Sequence, residues 1–521
     1  MNALSSLDIG VVVTYAVCLF VAAQWVSREK AGHKKDARDY FLAGSSLPWW
    51  AIGASLIAAN ISAEQIIGMS GSGYAIGLAI ASYEWMAAIT LILVGKYMLP
   101  IFLKRGIFTM PQFLEQRYDH RVRMVMAFFW LGVYVFVNLT SILWLGALAI
   151  HTVTGIDLLY GLLFLGIFAA AYSLYGGLKA VAFTDIIQVV LLVAGGLLIA
   201  SIMLQQVSNG EGIVAGFVSL MDRAPEKFDM ILSPDNPHYV SLPGLSVLIG
   251  GMWIMNLSYW GFNQYIIQRA LAAKSLKEAQ KGIAFAAFLK LLMPVIVVLP
   301  GIAMFVLEPN LSSPDQAYPH AMMLLPVGIK GLVFAALLAA IVSSLASMIN
   351  SISTIFTMDI YASLTKSENG ENSVVIGRIV ALSAMAIAMI CARPLLGNFD
   401  QAFQYIQEFT GFFTPGIVVI FLLGMFWRKT TSAAALSAAL ASAILSFAMK
   451  MLWPALPFID RVGLVFILCT LIAVSISIVQ QNQEQAGAVH VGDIDFSTSG
   501  GFNLAGVIVG IILVAFYATW W

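Results

Sequence analysis

Apolar residues along this chain come in unbroken runs of bilayer length, separated by short polar stretches that hold most of the charge. A helix needs about 20 such residues to cross a hydrocarbon core of about 30 Å. About fourteen spans are predicted, at 9–26, 48–71, 76–103, 122–152, 158–174, 182–203, 244–267, 282–306, 331–361, 374–391, 402–425, 433–452, 462–479 and 502–518. Two of them are poor hydrocarbon filler. The run 48–71 carries Asn60, Ser62, Glu64 and Gln65 at mid-depth and is loosened by Gly53, Gly68 and Gly71. The run 244–267 carries Gly250, Gly251, Asn256 and Ser258. Polar groups at that depth are costly unless they face a cavity, a partner or a substrate. A pair of interrupted spans in corresponding positions of two halves points to the central site of a transporter.

The two interruptible spans lie five apart, so they enter the membrane from opposite sides. That is the parity of a five-plus-five inverted repeat with the first helix of each repeat broken. The expected organisation is an extra helix and inner loop at 1–47, repeat one at 48–204, an outer loop at 205–243, repeat two at 244–427 and peripheral helices at 428–521. Lysine and arginine set the orientation. Arg28, Lys30, Lys34, Lys35 and Arg38 follow the first span, and Lys104, Arg105, Arg117, Arg121 and Arg123 follow the third. Lys179, then Arg269, Lys274, Lys277 and Lys281, then Arg428 and Lys429 fall on the same side if the spans alternate, whereas 205–243 holds only Arg223 and Lys227. Both termini are therefore expected outside. The first run, flanked by Asp8 and without a basic leader, reads as a retained helix.

Composition narrows the class. Only 10% of residues are charged and 60% are hydrophobic, against about 25% charged in soluble domains, so the chain is an integral membrane protein. A net charge of zero gives no sign of a nucleic-acid partner. Cys18, Cys391 and Cys469 are far apart in apolar runs and read as small buried hydrophobes. There is no phosphate-binding glycine loop for ATP, no histidine cluster for a metal and no nucleophile–base pair, so no enzyme chemistry and no cofactor are expected.

At 1.5 Å per residue, Glu84 and Lys290 each lie about 12 Å from a helix end, near the midplane on different spans. An unpaired charge there is expensive, so they are expected to neutralise each other directly or across a solute. Asn60, Gln65 and Asn256 fall at similar depth. Carboxylate, ammonium and amides together suit a neutral polyhydroxylated solute, whose hydroxyls both donate and accept; interhelical cross-links are the plainer alternative. Tyr83, Trp85, Tyr259, Trp260 and Phe403 crowd the same level and offer faces for a pyranose. Ser343 and Ser344, after Ala340, have two readings: helix-packing hydroxyls bonded to the preceding turn, or, with unwound carbonyls of Ala58 and Ile61, an all-oxygen shell for a monovalent cation. Asp185 either caps its helix or lines an inner exit for a cation.

Longer runs carry a resemblance: Asp39-Tyr-Phe-Leu-Ala-Gly44, Leu47-Pro-Trp-Trp50, Gly53-Ala-Ser-Leu-Ile-Ala-Ala-Asn-Ile-Ser-Ala-Glu-Gln65, Tyr83-Glu-Trp85, Tyr172-Ser-Leu-Tyr-Gly-Gly-Leu178, Tyr259-Trp-Gly-Phe-Asn-Gln-Tyr-Ile-Ile-Gln-Arg269, Ala340-Ile-Val-Ser-Ser-Leu-Ala-Ser347 and Gln401-Ala-Phe-Gln-Tyr-Ile-Gln-Glu408. The chain resembles the sodium/solute symporters, in their sodium/glucose branch. The resemblance implies a fourteen-helix, LeuT-like all-α transporter of a bacterial inner membrane that couples sodium entry to uptake of a galactose- or glucose-type hexose. By motif, it implies that Gln65, Glu84, Asn256, Lys290 and Gln407, with Asn60 beside them, hold the sugar. Tyr259, with Trp260, would form the inner gate, and Tyr83 and Phe403 the outer lid. Sodium, a co-substrate, would meet the backbone oxygens of Ala58, Ile61 and Ala340 and the hydroxyls of Ser343 and Ser344, and leave past Asp185. Two positions depart from the galactose pattern: Ala87 replaces a serine that touches the sugar, and Ser258 a tyrosine beside the gate. Two other functions fit the same residues: a carrier of an inositol or an anionic sugar, which the matching of Lys290 by Glu84 disfavours for an anion, and a sugar-gated sensor or leak.

Overall fold

The structure is a computed structural model that describes residues 4–26, 46–107, 109–365, 373–397, 401–480 and 483–521, with no description of the side chains at 20, 22–26, 172–185, 365 and 373–374. The run Asp39 to Gly44 and the basic loop after the first span lie outside the described residues, as does the side chain of Asp185. Apart from one isolated bridge between Leu47 and Ala273, the described chain is helical or irregular. Among the described residues, nine helices are long and apolar enough to cross a membrane, and up to eleven if each of two bent pairs forms one span. The three expected spans outside that set are 9–26 and 158–174, whose searched apolar stretches Ser6–Leu19 and Leu158–Ala171 are shorter, and 244–267, which is broken.

The order begins with α1 (Ser6–Val26), then α2 (Trp49–Asn60) and α3 (Met69–Ala75), joined through a π-helical turn at Glu64–Gly68. The pair bends by 60°, so the span expected to be breakable is broken. Next come α4 (Ser82–Leu93), α5 (Leu99–Arg105), α6 (His120–Val133), α7 (Thr140–Thr154) and α8 (Leu158–Val207). The two spans expected at 158–174 and 182–203 lie in one helical element, α8, with no non-helical residue assigned between them. Glycine weakens a helix by about 1 kcal/mol without ending it.

The second interruptible span is also divided. Leu245–Ile249 ends at Gly250; α9 (Gly251–Leu257) runs into a π-helical turn at Ser258–Phe262, and extended Asn263 precedes α10 (Gln264–Leu271). After it come α11 (Leu276–Leu307), α12 (Ile329–Thr354), α13 (Ser373–Leu396), α14 (Ala402–Thr410) and α15 (Thr414–Phe426). The span expected at 402–425 is present as a bent pair, α14 and α15 meeting at 46°. The chain closes with α16 (Ser432–Leu452), α17 (Phe458–Gln480) and α18 (Gly500–Thr519).

Small residues let the broken helix lie against α11. A Cβ at Gly53 would stand 2.6 Å from Phe285 Cδ1 and 2.7 Å from the Gly282 carbonyl, the close backbone approach by which membrane helices gain van der Waals contact. Loops that the alternation puts on one side are tied to one another. Gly328 and Gly331 donate to Asp8 Oδ1 at 2.7 and 2.9 Å, Lys227 Nζ to Ala75 O at 2.6 Å, and Met230 N to Trp520 O at 2.8 Å. The opposite loops are tied likewise: Leu47 N to Ala272 O at 3.1 Å, Arg105 to Ala488 O at 3.1 Å and Gln485 N to Arg428 O at 3.1 Å. Two arginines read as loop charges are buried. Arg117 Nε donates to Gly424 O at 2.7 Å, and Arg269 donates to Ser55 Oγ at 2.8 Å and Ser347 Oγ at 2.9 Å.

Candidate functional site

The break in the first helix follows from the bonds its residues make. Ile61 N closes the last turn on Ile57 O at 2.6 Å, and Ile61 then turns to ψ 70°. Ser62 N bonds to Asn60 O at 2.7 Å and Gln65 N to Ser62 O at 3.2 Å, while Ser62 Oγ accepts from Glu64 N at 3.1 Å and so starts the second half. In an unbroken helix, Ser62 N and Gln65 N would serve the carbonyls of Ala58 and Ile61. Those two carbonyls, expected on sodium, have lost their helical donors.

Asn60 sits at the break and joins three elements. Its Nδ2 donates to Tyr259 OH at 3.0 Å, and its Oδ1 accepts from Lys290 Nζ. Lys290 also donates to Glu84 Oε2 at 2.5 Å and lies over the Trp260 ring, 4.9 Å from its centre. The midplane pair expected from depth alone is therefore a direct, buried, charge-assisted bond between α4 and α11.

A cavity with about 50 Å³ of room for the centres of water-sized molecules is walled by Asn60, Gln65, Tyr83, Glu84, Met255, Asn256, Tyr259, Trp260, Phe403 and Gln407. Nine of these ten are residues expected at the sugar site or its gates; Met255 is the addition. Lys290 is the exception among the expected sugar ligands: it is wholly buried behind Glu84 and Asn60 and does not line the cavity. Among the described residues, Gln65 Oε1 and Tyr83 OH are buried without a hydrogen-bond partner; such groups call for one. Asn256 Nδ2 bonds back to Met252 O at 3.1 Å.

On one side Tyr83 meets Phe403 edge to face, ring centres 5.1 Å apart. On the other, Tyr259 stands edge to face with Trp260 at 5.1 Å and shares a 2.5 Å hydrogen bond with Tyr265. Tyr265 was missed by the sequence reading, although it follows Tyr259 by six residues in the same motif. Ala87 is buried and is not part of the cavity wall.

Ala58, Ile61, Ala340, Ser343 and Ser344 are all buried, and α2 packs on α12. Among the described residues, Ser344 Oγ has no hydrogen-bond partner. Two carbonyls without their helical donors and an unpartnered hydroxyl are the neutral oxygen ligands a sodium ion takes.

Residues 40–442 match the sodium:solute symporter family. The chain belongs to that family. A sodium/glucose cotransporter of Vibrio parahaemolyticus is 50% identical over 540 aligned positions, covering 100% of this chain and 99% of the relative. The mouse sodium/myo-inositol cotransporter 2 is 32% identical over 460 positions, covering 82% of this chain and 68% of its own. Among solved structures, a sodium-coupled sialic acid symporter in a substrate-bound outward-open state superposes with a TM-score of 0.79 at 23% identity, covering 91% of this chain and 98% of that one. Mhp1, a nucleobase-cation-symport-1 transporter in a closed conformation with bromovinylhydantoin bound, gives 0.55 at 15% identity, covering 91% and 99%. The fold is accordingly the all-α, multi-span fold of these symporters. Family membership makes the chain a membrane carrier for sodium and a solute and not an enzyme.

Proposed function

We infer that this symporter carries a neutral hexose of the glucose or galactose type inward, driven by sodium, through alternating access. The observation that carries this reading is the 50% identity, along the whole chain, to a protein named a sodium/glucose cotransporter. The cavity agrees with it in kind: amides, a carboxylate and aromatic faces suit hydroxyls and the apolar face of a pyranose. Gln65, Glu84, Asn256, Gln407 and Asn60 would bond the sugar directly, and Lys290 would act through Glu84 and Asn60. Tyr83 and Phe403 would close the outer side, and Tyr259, with Trp260, the inner. Sodium would sit between the broken helix and α12, on Ala58, Ile61, Ala340, Ser343 and Ser344, and leave past Asp185. The reading includes fourteen spans with a five-plus-five inverted repeat, in the domain limits given above. It also includes a bacterial inner membrane location with both termini outside.

Uptake into sealed proteoliposomes decides it. An inward sodium gradient should concentrate labelled glucose or galactose, and choline in place of sodium should abolish accumulation. A panel with myo-inositol and sialic acid separates the neutral hexose from a cyclitol and from an anion. Accumulation that persists in choline and follows a proton gradient would overturn the sodium assignment and turn attention to Asp185.

A further inference from the structure

A second cavity lies away from the site just described. By the same measure it holds about 800 Å³, and its wall is shared by α7, α8 and α13: Trp144 on the first, Leu158, Leu159, Leu162 and Leu163 on the second, Ala386, Met389 and Ile390 on the third. It opens outward between spanning helices, for Leu159 is 58% and Ile390 74% exposed. Exposed apolar side chains on such helices face hydrocarbon. At one end α8 and α13 close on each other, where a Cβ at Gly166 would run into Met389 Sδ. At the other end two charged residues, Asp157 and Arg393, line the same groove. From Asp157 to Gly166 the helix rises about 14 Å, close to half of a core of about 30 Å. The groove is one leaflet deep.

Charge decides what fits. Arg393 lies in the last turn of α13 and Asp157 caps the start of α8, donating no proton but accepting Leu159 N at 2.9 Å. Among the described residues, the Arg393 guanidinium has no ion-pair partner. A cation and an anion at headgroup level, above an apolar slot one leaflet deep, are complementary to a zwitterionic phospholipid. We propose that this groove binds a phospholipid with a primary ammonium, phosphatidylethanolamine, with its phosphate on Arg393, its ammonium on Asp157 and one acyl chain along Leu159, Leu163 and Ile390. The leaflet is the outer one in the orientation given above. Guanidinium–phosphate pairing is favoured by the matched donor geometry. A quaternary choline headgroup has no N–H for Asp157, and a glycerol headgroup has no cation.

The test is native mass spectrometry of the full-length protein in detergent, titrated with phosphatidylethanolamine, phosphatidylcholine or phosphatidylglycerol of identical chains. One adduct should form with a preference for the ethanolamine lipid of about fivefold, or about 1 kcal/mol, the upper range for a wet ion pair. Arg393→Gln should weaken all three lipids. Asp157→Ser keeps a capping hydroxyl, so the helix start is preserved, and should remove the ethanolamine-over-choline preference alone. Equal adducts in wild type and Arg393→Gln, or an ethanolamine preference that survives in Asp157→Ser, would overturn the proposal. So would a wild-type dimer that Arg393→Gln converts to monomer, since a second copy would then cover the groove.

Discussion

Lys290 is the most constrained side chain of the centre. Its ammonium is wholly buried and is held by the Glu84 carboxylate, the Asn60 carbonyl and the face of Trp260. Removing one partner of such a pair leaves a charge in a poorly solvated place, which costs about 3 kcal/mol or more. Glu84→Ala should therefore lower the melting temperature and abolish hexose binding together, read by a thermal shift and by equilibrium binding of labelled sugar. Retention of wild-type affinity would remove Glu84 from the sugar site. Ser343 makes the complementary case. Ser343→Ala takes away one neutral oxygen from the proposed sodium shell and touches no wall of the cavity. It should raise the sodium concentration for half-maximal uptake while sparing hexose affinity at saturating sodium. Because linkage is reciprocal, the factor by which sodium raises hexose affinity should equal the factor by which hexose raises sodium affinity, and both should shrink together in the variant.

At the scale of elements, the broken helix is held in place by close contact as much as by hydrogen bonds. Gly53→Leu has no room against Phe285 and Gly282 and should destabilise the protein by about 1–3 kcal/mol, measured as loss of thermal stability. Gly10→Ala, where nothing lies within 4 Å, is the control and should change little. Both interrupted spans were legible in the sequence because glycine and amides at bilayer depth are costly without a purpose. So was the Glu84–Lys290 pair, from depth alone. The helical backbone between 174 and 182 was not, since paired glycines weaken a helix and so read as a break between two spans. The bend between α14 and α15 falls at Gly411-Phe-Phe413, just before Pro415 in the first turn of α15, a helix-start signal that the reading of a single span passed over. Arg117 and Arg269 misled in another way: a count of positive charges places them at the right end of their helices but says nothing of the carbonyls and hydroxyls that bury them. Nine of the residues that motif groups at the sugar site or its gates wall one cavity. That Lys290 stands behind the cavity wall, and that Tyr265 backs Tyr259, depends on how helices far apart in sequence meet.

At the scale of the whole molecule, the hydrogen bonds between loops sort the helix ends into two faces. Residues near 8, 75, 227, 328 and 520 fall on one, and those near 47, 105, 272, 428 and 485 on the other. Single cysteines at Asn209 and at Gln483, in a protein with Cys18, Cys391 and Cys469 replaced, should react with an impermeant maleimide from opposite sides of the membrane, Asn209 from outside. Reaction of both from one side would sink the topology. The pairing of Glu84 with Lys290 has an electrical consequence. As a unit the two groups add no net charge to the moving core, so the charge that crosses with a neutral hexose is that of the ion. Current per sugar then counts sodium directly, and the membrane voltage acts on uptake through that count alone. At 100 mV, inside negative, each sodium contributes about 2.3 kcal/mol, which is an accumulation of about fiftyfold per ion before any concentration gradient of sodium is added.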